Sequence, residues 1–157
     1  MARGVFPLLI LIGAWWSLLL VEWVEVSGEG LIGADLNQTM ALLPAVGALS
    51  LLIALYKRLP GLLFGISAAS IAGSSAIALM SDFANSPSVV EAKERVSGIA
   101  GGGQVAIELS AFSSIFGFAG LAIAAAVLSL IMLRAKPKSM EMAEEAPDSR
   151  ELWDEQS

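Results

Sequence analysis

The sequence predicts an all-α membrane protein, a bundle of four transmembrane helices, and three observations predict it. Of the 157 residues, 56% are hydrophobic and 15% are charged, which is too apolar for an ordinary soluble domain. Four apolar runs reach or approach the roughly 20 residues that cross about 30 Å of hydrocarbon as a helix. Cysteine and histidine are absent from the sequence, which excludes disulfide frameworks, thiolate metal sites and histidine-based catalysis.

The first apolar run follows Arg3 and raises the question of a cleaved signal peptide. The run is longer than a usual signal-peptide core, and bulky Glu22, Trp23 and Val24 follow it, so we interpret it as a retained span. The four predicted spans cover about residues 5–21, 40–56, 62–80 and 105–133.

The first connection predicts a short extended ribbon. Residues Glu22–Val26 alternate in side-chain type with a period of two, and Gly28, Gly30 and Gly33 then interrupt the chain. The second connection, Lys57–Gly61, is a tight turn, so the second and third spans are expected to form an antiparallel hairpin.

The third connection predicts a short amphipathic helix. Ser88 and Glu91 match a capping box, and Glu91 and Arg95 are spaced as an i,i+4 ion pair. Val89 and Val96 fall near one face, so we expect this helix to lie on the membrane surface or over the mouth of the bundle.

The distribution of charge predicts the orientation. The first and third connections hold two basic residues among eight acidic ones, whereas six basic residues lie at the N-terminus, in the second connection and after the fourth span. Because positive residues stay inside, we expect both termini to be cytoplasmic in a plasma-membrane protein. Residues 139–157 hold seven acids and one arginine, which accounts for the net charge of −6 and predicts a disordered tail after a membrane domain of residues 1–138.

Small residues mark candidate surfaces for helix packing or for a partner, because they let helix backbones approach closely and because hydroxyl groups bond across helices. A serine-lined permeation path is the alternative interpretation. The candidates are Gly65, Ala69, Ser70, Gly73 and Ser74 on the third span, and Gly117 and Gly120 on the fourth.

Aromatic and acidic residues near the outer ends of the spans are candidates for a ligand site or an interface. Trp15 and Trp16 lie about 8–10 Å inward of Glu22, where each indole N–H needs a partner. They would suit a pocket that stacks an aromatic or quinone-like ligand, and packing between helices explains them equally well. Trp23 is expected to anchor at the membrane interface, and Glu22 and Glu108 to lie hydrated at the ends of the first and fourth helices.

A resemblance to a known family rests on the order of these features. The chain resembles the actinobacterial tryptophan-biosynthesis-associated membrane proteins in the order of its features. These are Trp23-Val24 at the end of the first span, a glycine-bearing loop, Leu42–Ala45, the Lys57-Arg58 turn, a Gly/Ala/Ser-rich third span and a basic segment after the fourth span. The resemblance covers about residues 5–136 and leaves out the acidic tail. It implies a four-span protein encoded near tryptophan or histidine biosynthesis genes, in a family with no established activity and no catalytic residues to transfer.

From these observations we expect a non-enzymatic multi-pass protein that works by association in the bilayer. Its partners are expected to be lipid and either other membrane-protein subunits, to which it is a small accessory, or itself. We expect no cofactor, no metal and no nucleic-acid partner, since a basic nucleic-acid surface is absent from the sequence. The alternative is a small homo-oligomeric transporter or exporter of an amino acid or another small solute.

Overall fold

A computed structural model describes residues 2–56 and 59–134, and these residues are mostly helical. The turn residues Lys57 and Arg58 and the acidic tail lie outside the described residues. The helices are α1 (Ala2–Ser17), α2 (Gly33–Leu36), α3 (Gln38–Ala54), α4 (Pro60–Met80), α5 (Pro87–Ser97) and α6 (Phe112–Arg134), and the strands are β1 (Glu22–Val26), β2 (Glu29–Ile32) and β3 (Ile107–Leu109).

The four long apolar helices pack into a bundle. Helix α4 packs extensively against α3 on one side and α6 on the other, and α1 contacts both α3 and α6. Among the described residues, two helices, Pro60–Met80 and Phe112–Leu133, are long and apolar enough to cross a membrane. Helices α1 and α3 are apolar but shorter, at 16 and 17 residues. A turn of 3-10 helix over Leu18–Leu20 extends α1 toward the strands.

A three-stranded antiparallel sheet corrects the expectation of an all-α fold. The strands lie in the order β2-β1-β3, so the expected ribbon is a β1–β2 hairpin that has gained a third strand. Residues 105–111 were expected to begin the fourth span, and that prediction is wrong because β3 pairs with β1 and α6 begins only at Phe112. The charged Glu108 sits in the middle of this strand, which suits a solvated sheet edge better than the hydrocarbon.

Helix α5 is present as expected, but it packs on the sheet. Its cap residue is Ser86, followed by Pro87 at the first helical position, and it ends at Gly98, whose φ of 68° is left-handed. The capping box at Ser88 is therefore wrong. Val89 and Ala92 are buried, and α5 contacts β1 and β2.

Polar contacts fasten α5 to the first connection. The Arg95 guanidinium lies 2.8 Å from Glu29 on β2, instead of pairing with Glu91 along its own helix. The Ser88 hydroxyl donates to the carbonyl of Asp35 on α2 at 2.7 Å. Together α2, α5 and the sheet form one folded unit, which we call the cap, at the end of the bundle where α1 terminates and α6 begins.

Candidate functional site at the junction of the bundle and the cap

Trp15 joins α1 to α6. Its indole Nε1–H donates to the carbonyl of Phe116 at 2.7 Å, and its ring stacks on the Phe116 ring with centroids 4.4 Å apart and planes 14° apart. The side chain is buried, with 3% of its surface exposed. The indole N–H thus finds its partner within the chain, and the stacking partner is a helix residue rather than a ligand.

Trp23 extends this cluster into the cap. It is 1% exposed, and its Nε1–H donates to the carbonyl of Leu18 at 2.8 Å, in the turn that ends α1. Its ring meets Phe83 edge-on at 5.6 Å and Phe116 at 5.3 Å. The expectation that Trp23 is an anchor at the membrane interface is wrong, because the ring is buried between the sheet and the helices.

Trp16 lies outside the cluster although it neighbours Trp15. Adjacent helix residues point about 100° apart, and Trp16 is accordingly 44% exposed on the outer surface of α1. The pair therefore does not form a two-indole pocket. Phe83 and Phe116 complete the cluster, and their sequence positions carry no signal that distinguishes them from other apolar residues.

The two glycines of α6 lie at close contacts between helices. A Cβ on Gly120 would overlap the Ser75 hydroxyl of α4 and the Trp15 ring, which it would meet at 2.6 Å. A Cβ on Gly117 would overlap Leu79 of α4. These residues serve packing within the chain, because a larger side chain has no space at the junction of α1, α4 and α6.

The small residues of α4 divide between two surfaces. Ser70 and Ser74 are buried in the bundle. A Cβ on Gly65 would meet nothing within 4 Å, and Ala69 is exposed. A Cβ on Gly73 would meet Leu43 of α3 at 3.6 Å, which is an ordinary contact. Gly65 and Ala69 therefore lie on an outward face of α4 that this chain leaves uncovered.

A proline in α3 explains why Ser74 is buried. Pro44 has no N–H, so it cannot make the helical bond to the carbonyl of Met40 four residues earlier. The Ser74 hydroxyl of α4 donates to that carbonyl at 2.9 Å, and both residues are fully buried. A hydroxyl from a neighbouring helix thus satisfies the backbone group that proline leaves unpaired.

The acidic candidates belong to the cap. Glu22 opens β1, and Glu108 lies in β3 directly opposite Glu25 of β1. The expected position of Glu108 at the end of the fourth helix is therefore wrong. These three carboxylates are exposed beside a cavity of about 230 Å³. Within residues 2–56 and 59–134, no group of three acidic, histidine or cysteine side chains is arranged to hold a metal ion.

An apolar groove of about 460 Å³ lies between α1 and α6, beside Trp15. Alanines on both helices form much of its lining, including Ala14 on α1 and Ala119, Ala122 and Ala126 on α6. The Trp15 indole fills the space between the helices at the level of Phe116, while the alanines are too small to fill the space beside it. Among the described residues, no polar side chain lines the resulting groove.

Comparisons of the chain with protein-family models, with curated proteins and with solved structures give no match.

Proposed function

We propose that this chain is a four-span plasma-membrane protein that works by association with another membrane protein, as a small accessory subunit. The observation that carries the proposal is the outward face of α4, where Gly65 and Ala69 are small residues at four-residue spacing and Ala76 is exposed further along the helix. Such spacing lets a second helix approach the backbone closely, which drives association in lipid.

The exposure of the long helices supports the membrane assignment. Only 39% of the apolar window of α4 and 33% of that of α6 is buried, although both windows are strongly apolar. The core helix of a soluble protein would be buried on most sides, so these surfaces fit a hydrocarbon solvent. Helix α3, and α1 with its terminal turn, supply the other two proposed spans, each within the lower range of spanning lengths.

The positive residues at the two termini and in the α3–α4 turn support cytoplasmic termini, with the acidic cap on the outer side. The cap contains seven acidic and two basic residues, and this scarcity of positive charge fits the outer side of the membrane. The link to tryptophan metabolism rests on the family resemblance alone and is part of the same proposal.

The polar groups of the bundle favour an accessory role over transport. Coupled transport needs an ionisable group near the midplane, and residues 38–54, 60–80 and 112–133 contain no acidic or basic residue. The buried hydroxyls of Ser74 and Ser75 donate to backbone carbonyls, so they serve the fold.

Co-purification tests the proposal. The full chain is extracted in mild detergent, and its partners are identified by quantitative mass spectrometry. We expect a stoichiometric second membrane protein that is lost in Ala69→Leu, which crowds the outward face of α4, and retained in Ala125→Leu, which is exposed on α6. A chain that purifies alone, or a partner that survives Ala69→Leu, would contradict the proposed interface, and self-association alone would point to the homo-oligomeric alternative.

A further inference from the structure

We propose that the outer edge of strand β3 binds an extended segment of a partner protein, and that this segment places a basic side chain opposite Glu108. The inference rests on the proposed association with another membrane protein, and it adds a contact in the cap to the one on the outward face of α4. Strand β3 (Ile107–Leu109) is the last strand in the order β2-β1-β3, so one of its edges has no neighbouring strand.

The hydrogen-bonding pattern shows which groups of β3 face the open edge. Directly after the strand, the Ser110 N–H donates to the carbonyl of Trp23 on β1 at 2.9 Å. Backbone groups alternate in direction along an antiparallel strand, so Glu108 also bonds to β1, whereas Ile107 and Leu109 direct their N–H and C=O groups to the open edge. Within residues 2–56 and 59–134, no backbone group from outside the sheet bonds to them.

The opposite edge of the sheet differs, because both α2 and α5 pack against β2. Proteins protect a strand edge by covering it, or with a proline, a bulge, a short strand or a charged side chain. Strand β3 contains no proline, and its pairing with β1 is regular. Its protection consists of its short length and of Glu108, a charge that repels an acidic strand and attracts a basic one.

A cleft beside β3 provides space for a side chain of an added strand. Leu109 is paired with Val24 and therefore points to the inner face of the sheet, yet it is 62% exposed. It lines a cleft of about 220 Å³ together with Leu79 of α4 and with Phe83. Cross-strand partners share a face, so a residue paired with Leu109 across the open edge would direct its side chain toward this cleft.

Charge selects the segment that fits. Glu25 and Glu108 are directly opposite each other on the exposed face of the sheet, where like charges are destabilising. Among the described residues neither carboxylate forms an ion pair. A basic residue beside Glu108 on an added strand would offset this repulsion. A second copy of the chain fits worse, because the antiparallel register that pairs two β3 strands along their whole length places their Glu108 side chains opposite each other.

A peptide probe tests the edge. The probe is Thr-Val-Lys-Val-Thr, whose valines pair with Ile107 and Leu109 when its lysine lies opposite Glu108. Its binding to the isotope-labelled full chain in nanodiscs is followed by NMR. We expect chemical-shift changes centred on the amides of Ile107 and Leu109, and binding about fivefold tighter than that of Thr-Val-Glu-Val-Thr.

N-methylation of the peptide provides a matched control. In the paired arrangement the valine N–H groups face β3 and the lysine N–H faces away. Methylation of both valine nitrogens should therefore abolish binding, whereas methylation of the lysine nitrogen should leave it unchanged.

Two protein variants test the same contact. Leu109→Pro removes an N–H that faces the open edge and none that bonds to β1, so it should abolish binding. Glu108→Lys should reverse the preference, so that the glutamate peptide binds more tightly than the lysine peptide. Because Glu108 is exposed, this second variant decides the matter if Leu109→Pro fails to fold.

The contrary outcomes are distinct. Absence of binding by either peptide, or binding that survives methylation of the valines, would overturn the edge site and leave the α4 interface to its own co-purification test. An unchanged preference in Glu108→Lys would refute the charge match. A partner that co-purifies equally with the wild type and with Leu109→Pro would show that the edge is not used, and a disulfide-linked dimer of Glu108→Cys in native membranes would replace the partner by a second copy; either result would refute the inference.

Discussion

Replacing Ser74 by alanine tests whether this hydroxyl compensates for Pro44. The Met40 carbonyl lacks its helical donor because residue 44 is proline, and the Ser74 Oγ–H supplies the hydrogen bond at 2.9 Å from α4. Ser74→Ala leaves a buried carbonyl unpaired, which costs about 1–3 kcal/mol in soluble proteins. Hydrogen bonds between membrane helices average about 0.6 kcal/mol and reach about 1.7. We expect about 1.5 kcal/mol here, because the carbonyl has no helical N–H to fall back on.

A second variant isolates the cause. In Pro44→Ala the backbone N–H of residue 44 can bond to the Met40 carbonyl, so adding Ser74→Ala should then cost under about 0.5 kcal/mol. The coupling between the two positions is thus expected to be about 1 kcal/mol. Reversible unfolding of the full chain in mixed micelles, followed by helical circular dichroism during titration with SDS, measures each free energy.

Ser75 provides the matched control. It is fully buried on the same helix, and its hydroxyl donates at 2.9 Å to Ile71, a carbonyl of its own helix four residues earlier. Because that carbonyl keeps its helical donor, Ser75→Ala should cost under about 0.5 kcal/mol. The reasoning is refuted if Ser75→Ala costs as much as Ser74→Ala, or if Pro44→Ala leaves the cost of Ser74→Ala unchanged.

Four further variants test the packing and the cap. Gly120→Leu should prevent folding, since its side chain would overlap the Trp15 ring, whereas Gly65→Leu should leave the monomer folded. Gel filtration and circular dichroism measure how much folded protein each variant gives. Similar losses of folded protein in both variants would contradict the close approach of α6. Trp15→Phe should lower the free energy of unfolding by about 1 kcal/mol in the same SDS assay, because the stacking is kept and one hydrogen bond is lost. An unchanged free energy would show that the hydrogen bond does not stabilise the fold. Arg95→Gln should lower the free energy of unfolding by at most about 1 kcal/mol, because the ion pair with Glu29 is partly exposed. High salt should abolish this difference from the wild type. A large loss of stability that does not depend on salt would contradict the argument.

Local chemistry made several elements predictable from the sequence. The alternation of side-chain type over Glu22–Val26 predicted strand β1, and the apolar face before Gly98 predicted helix α5. The long apolar runs predicted the positions of α3 and α4 to within about two residues of the observed bounds. Each of these signals is contained in one continuous segment.

Features that depend on distant segments were not predictable. Strand β3 is three residues long and forms only against β1, some 80 residues earlier, so its sequence resembles the start of the apolar run that follows it. The burial of Trp23 depends on Phe83 and Phe116, which approach from two other segments. Small-residue spacing likewise predicted that α4 and α6 have packing surfaces, but it could not assign Gly120 to the inside and Gly65 to the outside.

The most direct test of the account is the accessibility of single cysteines in intact cells, because the chain has no native cysteine to give background. Glu25 on β1 and Glu91 on α5 are both exposed in the cap, and Tyr56 is 87% exposed at the opposite end of the bundle. We predict that cysteines at Glu25 and Glu91 react with a membrane-impermeant maleimide, whereas cysteines at Tyr56 and Ser139 react only after the cells are permeabilised. Labelling of Tyr56 or Ser139 from outside, or labelling of Glu25 without Glu91, would contradict a four-span bundle with an outer cap.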